Sequence, residues 1–378
     1  MVKASKEEYL RAIRGRYRRA GRAYKQKILD EFCAVCGYHR KHAIRKLNAR
    51  SSKAQKKPGR PSKYGAGERK VVEKIWLAAN RPCAVRLQPM LEVWLPYYEE
   101  EQGAVAEATR QRLVKISSRT LERLLGPIRR RHGRRGKSGT RPGVLLKQQI
   151  SIKTHHAHIH QPGLMEADTV AHCGDTLEGN FVWSLTLTDI FSGWTENRAV
   201  WNKGYAGVKT AIIGIEEQLP FSLTGFHSDN GGEFINYHLF RYFQERDVPL
   251  QPTRGRPWHK DDTAHVEQKN YTHVRMLLGY QRIEDHNLLR PINQLYEAWG
   301  LFNNVFCASR KLVGKIKDGS RYTRRYDRAQ TPCQRLLDSP HIDQAKKTYL
   351  TELICNLSPF QLKRQIDHLQ DKILRQLR

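Results

Sequence analysis

No run of about 18 apolar residues, the length that crosses a bilayer as a helix, occurs in the 378-residue sequence. Its opening stretch, MVKASKEEYLRAIRG, lacks the apolar core of a signal peptide. These absences lead us to expect a cytoplasmic, nucleoid-associated protein with no membrane partner. Cysteines are few and odd in number, seven, which argues for reduced thiols over a disulfide framework. Acidic residues are scarce at the front: residues 1–160 hold 12 Asp and Glu against 39 Lys and Arg. Residues 161–270 reverse the balance, with 15 against 9, and residues 271–378 return to 10 against 19.

The net charge of +30 is thus a basic front, an acidic middle and a moderately basic tail. So basic a front repels itself unless it meets a polyanion, and nucleic acid binding is driven by release of the counterions such a front displaces. Over residues 8–48 the apolar positions Ile28, Leu29, Phe32 and Cys36 recur at helical spacing, Gly37 interrupts, and Ala43, Ile44 and Leu47 resume. A helix carrying Arg40, Lys41, Arg45 and Lys46 after a sharp turn suits a helix-turn-helix whose basic second helix enters a major groove. An ordinary helical hairpin with a solvated basic face is the alternative. Cys33, Cys36, His39 and His42 offer a zinc site, but the two-residue gap between the pairs is too short for the chain to wrap a tetrahedron.

Residues 53–65, KAQKKPGRPSKYG, form a basic linker in which Arg60 suits a minor groove. Helical periodicity resumes over 66–130, where Ser117 or Ser118 caps a helix with Leu121, Leu124 and Leu125 inward; with Arg119 this suggests a second helical DNA-binding domain. Residues 131–160 are a basic, glycine-broken connector ending in THHAHIH, a stretch for which metal binding competes with a simple lead into a strand.

From residue 164 the period changes to that of strands. LMEADTVAH, FVWSLTLTD and WTENRAVW predict three strands in a meander, with Asp189 in the turn between the last two. A helix over 204–218 follows, with Val208, Ile212 and Ile215 on one face, then a strand FSLTGFHSD ending at Asp229. Next come a helix with Phe234, Tyr237, Phe240 and Phe243 inward, a strand VPLQPTR, and a helix from about Ala264. This order is ribonuclease H-like. The expected fold class is therefore multidomain: helix-turn-helix domains at 1–52 and 66–130, an α/β catalytic domain with a five-stranded mixed sheet at 161–312, and a small, mostly helical region at 313–378.

In HSDNGGEF, Asp229 alone reads as a turn residue, since Asn and Gly tolerate positive φ. Two other acids change that reading: Asp168 on the first strand, and Glu267 in the first turns of the last helix on a face shared with Asn270, Tyr271, Val274 and Leu278. Three carboxylates meeting within about 4 Å repel by about 4 kcal/mol per pair at an effective dielectric near 20, which a divalent cation relieves. Hard oxygen ligands with room for water and phosphate describe Mg²⁺, and a pair of ions suits phosphodiester chemistry. Glu166 shares the face of Asp168, Glu233 opens a helix where an acid favours its dipole, and Asp261 and Asp262 read as caps. Arg254, Arg256, Lys260 and Lys269 ring the inferred site as candidate phosphate contacts.

The stretches PGLMEADTVAHCG, TDIFSGWTENRAVWNKG, FHSDNGGEF, GRPWHKDDTAHVEQKNYTHVR and RRYDRAQTPCQRLL resemble the integrase-core (DDE) transposases of bacterial insertion sequences, kin of retroviral integrases. The resemblance covers most of the chain beyond residue 140. It implies a metal triad of Asp168, Asp229 and Glu267 with Mg²⁺ or Mn²⁺. It also implies cleavage and strand transfer at transposon ends, on double-stranded DNA and by at least a dimer. Thr263 departs from the Asn usual four residues before the glutamate. A catalytically inactive DNA-binding regulator or scaffold, and a structure-selective nuclease, are the alternative functions on this fold.

Overall fold

The computed structural model describes residues 3–49, 63–132, 159–229, 232–234, 236–250, 252–254, 264–318 and 321–377. Outside them fall most of the expected linker and connector, most of the histidine run, and Arg60, Arg256, Lys260, Asp261, Asp262 and Thr263. The chain divides into two compact units, Met1–Lys63 and Tyr64–Arg378.

The first unit is three helices, α1 (Lys3–Arg19), α2 (Arg22–Cys36) and α3 (Arg40–Asn48). Leu10, Ile13 and Tyr17 of α1, Ile28, Leu29, Phe32 and Cys36 of α2, and Ala43 and Leu47 of α3 form its core. Gly37 ends α2 in the left-handed conformation at φ 61°, donating its N–H to Cys33 O, which turns the chain sharply into α3. Burial of Cys36 in this core raises its thiol pKa, which disfavours the thiolate a zinc site needs.

The second unit opens with helices α4 (Ala66–Ala78), α5 (Ala84–Gln102), α6 (Glu107–Val114) and α7 (Ser118–Arg131). Ser117 caps α7 by accepting from Thr120 N, and Leu121, Leu124 and Leu125 are buried. These helices, expected to stand apart as a DNA-binding domain, instead share one core with helices from the far end of the chain. Trp94 of α5 meets Phe302, Phe306 and Phe360 edge-on and donates its indole N–H to Phe306 O at 3.0 Å. Tyr97 reaches Ile354 O at 2.8 Å.

Five strands form a mixed sheet: β1 (Leu164–Ala171), β2 (Val182–Asp189), β3 (Thr195–Trp201), β4 (Gly225–Ser228) and β5 (Thr253–Arg254), in the order β3-β2-β1-β4-β5. β1, β2 and β3 are antiparallel neighbours, while β4 is parallel to β1 and β5 to β4, the ribonuclease H-like order that the sequence predicts. Entry to β1 requires Gly163, whose φ is +118° and where a Cβ would lie 2.5 Å from Ser222 O. The polar alternation of β2 does not mark a solvent face: Ser184, Thr186 and Thr188 are buried, with Ser184 Oγ 2.6 Å from Tyr296 OH and 2.8 Å from His172 Nε2.

On one side of the sheet pack α8 (Tyr205–Glu216), with Val208, Ile212 and Ile215 buried, and α9 (Tyr237–Gln244). The inward residues of α9 are Leu239 and Phe243; Tyr237 and Phe240, expected inward, are exposed, because Asn236 caps the helix and sets its start after Phe234. Helix α10 (Ala264–Lys269) runs into a π-helical turn, Asn270–Arg275, and ends with Met276–Leu278. Helix α11 (Leu289–Leu301) leads to a two-stranded ribbon of β6 (Leu312–Asp318) and β7 (Arg321–Tyr326), followed by α12 (Pro332–Leu337), α13 (Gln344–Asn356) and α14 (Pro359–Gln376). The expected boundary between 312 and 313 thus falls inside a strand.

Candidate active site

β1 supplies Asp168, half-buried, whose Oδ1 accepts from Thr169 N at 2.8 Å and whose Oδ2 accepts from Asn270 Nδ2 at 2.6 Å. The β1–β4 register pairs Ala167 with Ser228, so Asp229, the exposed residue just past β4, emerges beside Asp168 on the neighbouring strand. Glu267 stands on α10, exposed at the rim. Two contacts from β1 hold that helix. Glu166, fully buried, accepts the backbone N–H groups of His265 and Val266 on Oε2, both at 3.0 Å, and so caps the helix start. One turn on, Asn270 is tied to Asp168.

The carboxylates sense one another. Burial pushes the Asp168 carboxyl up to about 6, and the charges of Asp229 and Glu267 add to the rise against the hydrogen bonds from Thr169 and Asn270. Burial pushes Glu166 up to about 8, with Glu267 again adding and the two helix N–H groups opposing. Among the described residues, no three His, Cys, Asp or Glu side chains close tightly enough on one point to hold an ion.

Several predicted residues take other places. Glu233 does not open α9. It is buried, accepts from Thr169 Oγ1 at 2.9 Å and pairs with Lys203 at 2.6 Å, behind the strand that carries Asp168. Asp189 is likewise no surface turn residue: fully buried, it accepts from Gly163 N at 2.9 Å and from Ser192 N at 2.6 Å. Tyr271, expected on the Glu267 face, is half exposed, because the wider π turn takes it off that face while Val274 and Leu278 stay buried.

Lys269 does not face outward to a phosphate. Its ammonium turns inward onto Gly193 O at 3.3 Å, and burial beside Arg86 and Arg335 lowers its pKa to about 8. Lys311 reaches Phe191 O, and Arg335, itself buried, donates to Ser192 O at 3.2 Å, so three successive carbonyls of the β2–β3 turn each receive a cation from a different part of the chain. Arg254 is exposed on β5 and Arg119 on α7; on α3, Lys41 and Arg45 are exposed, Lys46 is half-buried and Arg40 pairs with Asp30. Sequence reasoning missed Asn270 as a partner of Asp168, for which helical spacing from Glu267 was the available signal.

No family model matches this sequence. It is 36% identical over 337 residues to the uncharacterized protein y4rM of Sinorhizobium fredii (strain NBRC 101917 / NGR234), a match covering 88% of this chain and 95% of that protein. The chain belongs to the y4rM family. Among solved structures, the catalytic core domain of BIV integrase matches with 17% identity and a TM-score of 0.25, covering 30% of this chain and 68% of that one. A chain of the simian T-cell lymphotropic virus intasome in complex with PP2A regulatory subunit B56 gamma matches with 13% identity and a TM-score of 0.28, covering 48% of this chain and 59% of that one. The chain thus spans less than two thirds of the intasome chain. Likenesses of this size decide nothing about the reaction, and the y4rM-family site stands on its own residues.

Proposed function

We propose that this chain is a transposase: a metal-dependent polynucleotidyl transferase that cleaves DNA at the ends of a mobile element and joins them to target DNA. The observation that supports the reading is that Asp168 and Asp229 stand side by side in the register of the parallel strands β1 and β4, while Glu267 lies on the helix that Glu166 caps, and the charges of Asp229 and Glu267 both raise the pKa of Asp168. All three offer hard oxygen donors, which suit Mg²⁺ or Mn²⁺, and Asp229 and Glu267 are exposed, as a site that admits a phosphodiester requires. When bound, a pair of such ions supplies an activated oxygen nucleophile and neutralises the leaving oxygen. Asn270 orients the Asp168 carboxylate, and Glu166 fixes the start of the Glu267 helix.

In this reading α2 and α3 act as a helix-turn-helix, with Lys41, Arg45 and Lys46 on the groove-facing helix, and Arg254 contacts phosphate near the site. The protein works on double-stranded DNA in the nucleoid as at least a dimer, because two element ends must be held together. The test is a strand-cutting and strand-joining assay on a duplex carrying the inverted repeats that flank the gene, with Mg²⁺ present. Asp229→Asn is expected to bind that duplex as the unaltered chain does and neither nick nor join it. Undiminished cutting by Asp229→Asn would overturn the proposal.

A further inference from the structure

The β6–β7 ribbon has no role in the chemistry above. Residues 310–328, RKLVGKIKDGSRYTRRYDR, carry eight Lys and Arg against two Asp. Its two strands pair antiparallel, with Gly314 opposite Arg325 and a register shift between Leu312 and Gly314. Two strands alone are marginally stable in water, and Val313, Ile316 and Tyr326 are 65%, 49% and 42% exposed. Thr323, Arg324 and Arg325 are exposed as well. A ribbon of this cationic composition that exposes Arg324 and Arg325 and shows apolar side chains to water is matched to a polyanion with apolar surface between its charges.

The root of the ribbon, in contrast, is firmly set. Lys311 N donates to Asp327 Oδ1 at 2.6 Å, and Arg335 donates to Ser309 O at 2.8 Å and to Asp327 Oδ2 at 3.0 Å. Lys311 and Arg335 also grip the β2–β3 turn whose Gly193 carbonyl receives Lys269 of the Glu267 helix. One turn therefore anchors both the ribbon and the helix of the candidate site.

We infer that the β6–β7 ribbon is a second DNA-binding element, which lays its exposed cationic strands in a groove of the duplex held at the candidate site. A two-stranded ribbon has the width that a major groove admits. Cations on the strands neutralise phosphates along its walls, and Ile316 and Val313 meet base edges. The inference rests on the proposed action on DNA and adds the surface that holds the duplex beside the carboxylates.

The experiment uses the full chain and a 30-base-pair duplex of arbitrary sequence, with binding followed by fluorescence anisotropy across a salt series. Each phosphate-contacting cation removed is expected to reduce the salt slope by about 1, so Arg324→Ala with Arg325→Ala reduces it by about 2. Arg324→Glu, at an exposed position, is expected to leave the melting temperature unchanged while weakening binding. A photo-crosslinking residue in place of Ile316 is expected to attach to the duplex. An unchanged salt slope, or a crosslink only to a second copy of the chain, overturns the inference even where Asp229→Asn still abolishes cutting. If the unaltered chain binds no duplex at all, the proposed function itself fails and takes this inference with it.

Discussion

Glu166 Oε2 and the backbone N–H of Val266 lie 3.0 Å apart, a contact between the middle of one strand and the start of a helix 100 residues later. Because the same oxygen also takes His265 N–H, a single side chain substitutes for the missing preceding turn of the helix. Glu166→Ala is expected to leave these donors without their acceptor and to cost about 1–3 kcal/mol in urea unfolding. Glu166→Gln, which keeps a carbonyl acceptor, is expected to retain most of that stability, and equal losses in the two variants would refute the capping role.

Asn270 provides a separate test of the site. Its amide fixes one oxygen of Asp168, so Asn270→Ala is expected to lower strand cutting by about 10–100-fold, the usual cost of losing an orienting contact behind a ligand. Duplex affinity, measured in parallel, should stay where it is. A variant weakened in binding and unimpaired in turnover would contradict the assignment.

Trp94 tests whether the helices of 64–132 are an integral layer of the second unit. Trp94→Ala is expected to cost about 3–5 kcal/mol, and to do so in a transition that tyrosine and tryptophan fluorescence and far-ultraviolet circular dichroism report together. Selective melting of 64–132 with the sheet intact would speak for separate domains.

Acid stability should depend on His172. Burial, with the Arg275 charge adding, lowers its pKa to about 3, against about 6.5 in an unfolded chain. The unfolded chain therefore binds the extra proton between these values. The stabilising contribution is complete above pH 6.5 and is lost as the pH falls toward 3, by up to about 1.4 kcal/mol per pH unit. His172→Gln, which can keep a hydrogen bond to Ser184, is expected to flatten the stability profile between pH 6 and 4, as measured by urea unfolding.

What the sequence discloses here follows from how far each signal reaches. Period-two alternation locates β2 and β3, because it is a local backbone requirement. Amphipathic helices over 66–130 disclose that Leu121, Leu124 and Leu125 are buried, but not that Trp94 and Tyr97 of the same layer reach Phe306 and Ile354, far beyond any local pattern. Lys269 read as a surface cation by residue type, since nothing local announces that a carbonyl of a distant turn will receive it. The ribbon escaped notice because neither strand keeps a period-two pattern: Leu312 and Val313 are adjacent apolar residues, and Arg324 and Arg325 adjacent cations. At the candidate site, Asp168 and Asp229 were legible as acids at strand positions, while the cap from Glu166 and the tether through Asn270 required the fold.

The π turn at Asn270–Arg275 divides its helix into two halves of independent phase. Upstream, the angular setting of Glu267 and Asn270 answers to β1; downstream, that of Val274 and Leu278 answers to the apolar interior. A regular α-helix ties both settings to one period, so deleting a single residue within the turn would force one half to yield. The extra residue thus works as a slip joint, letting the carboxylate end and the packed end each find its own orientation.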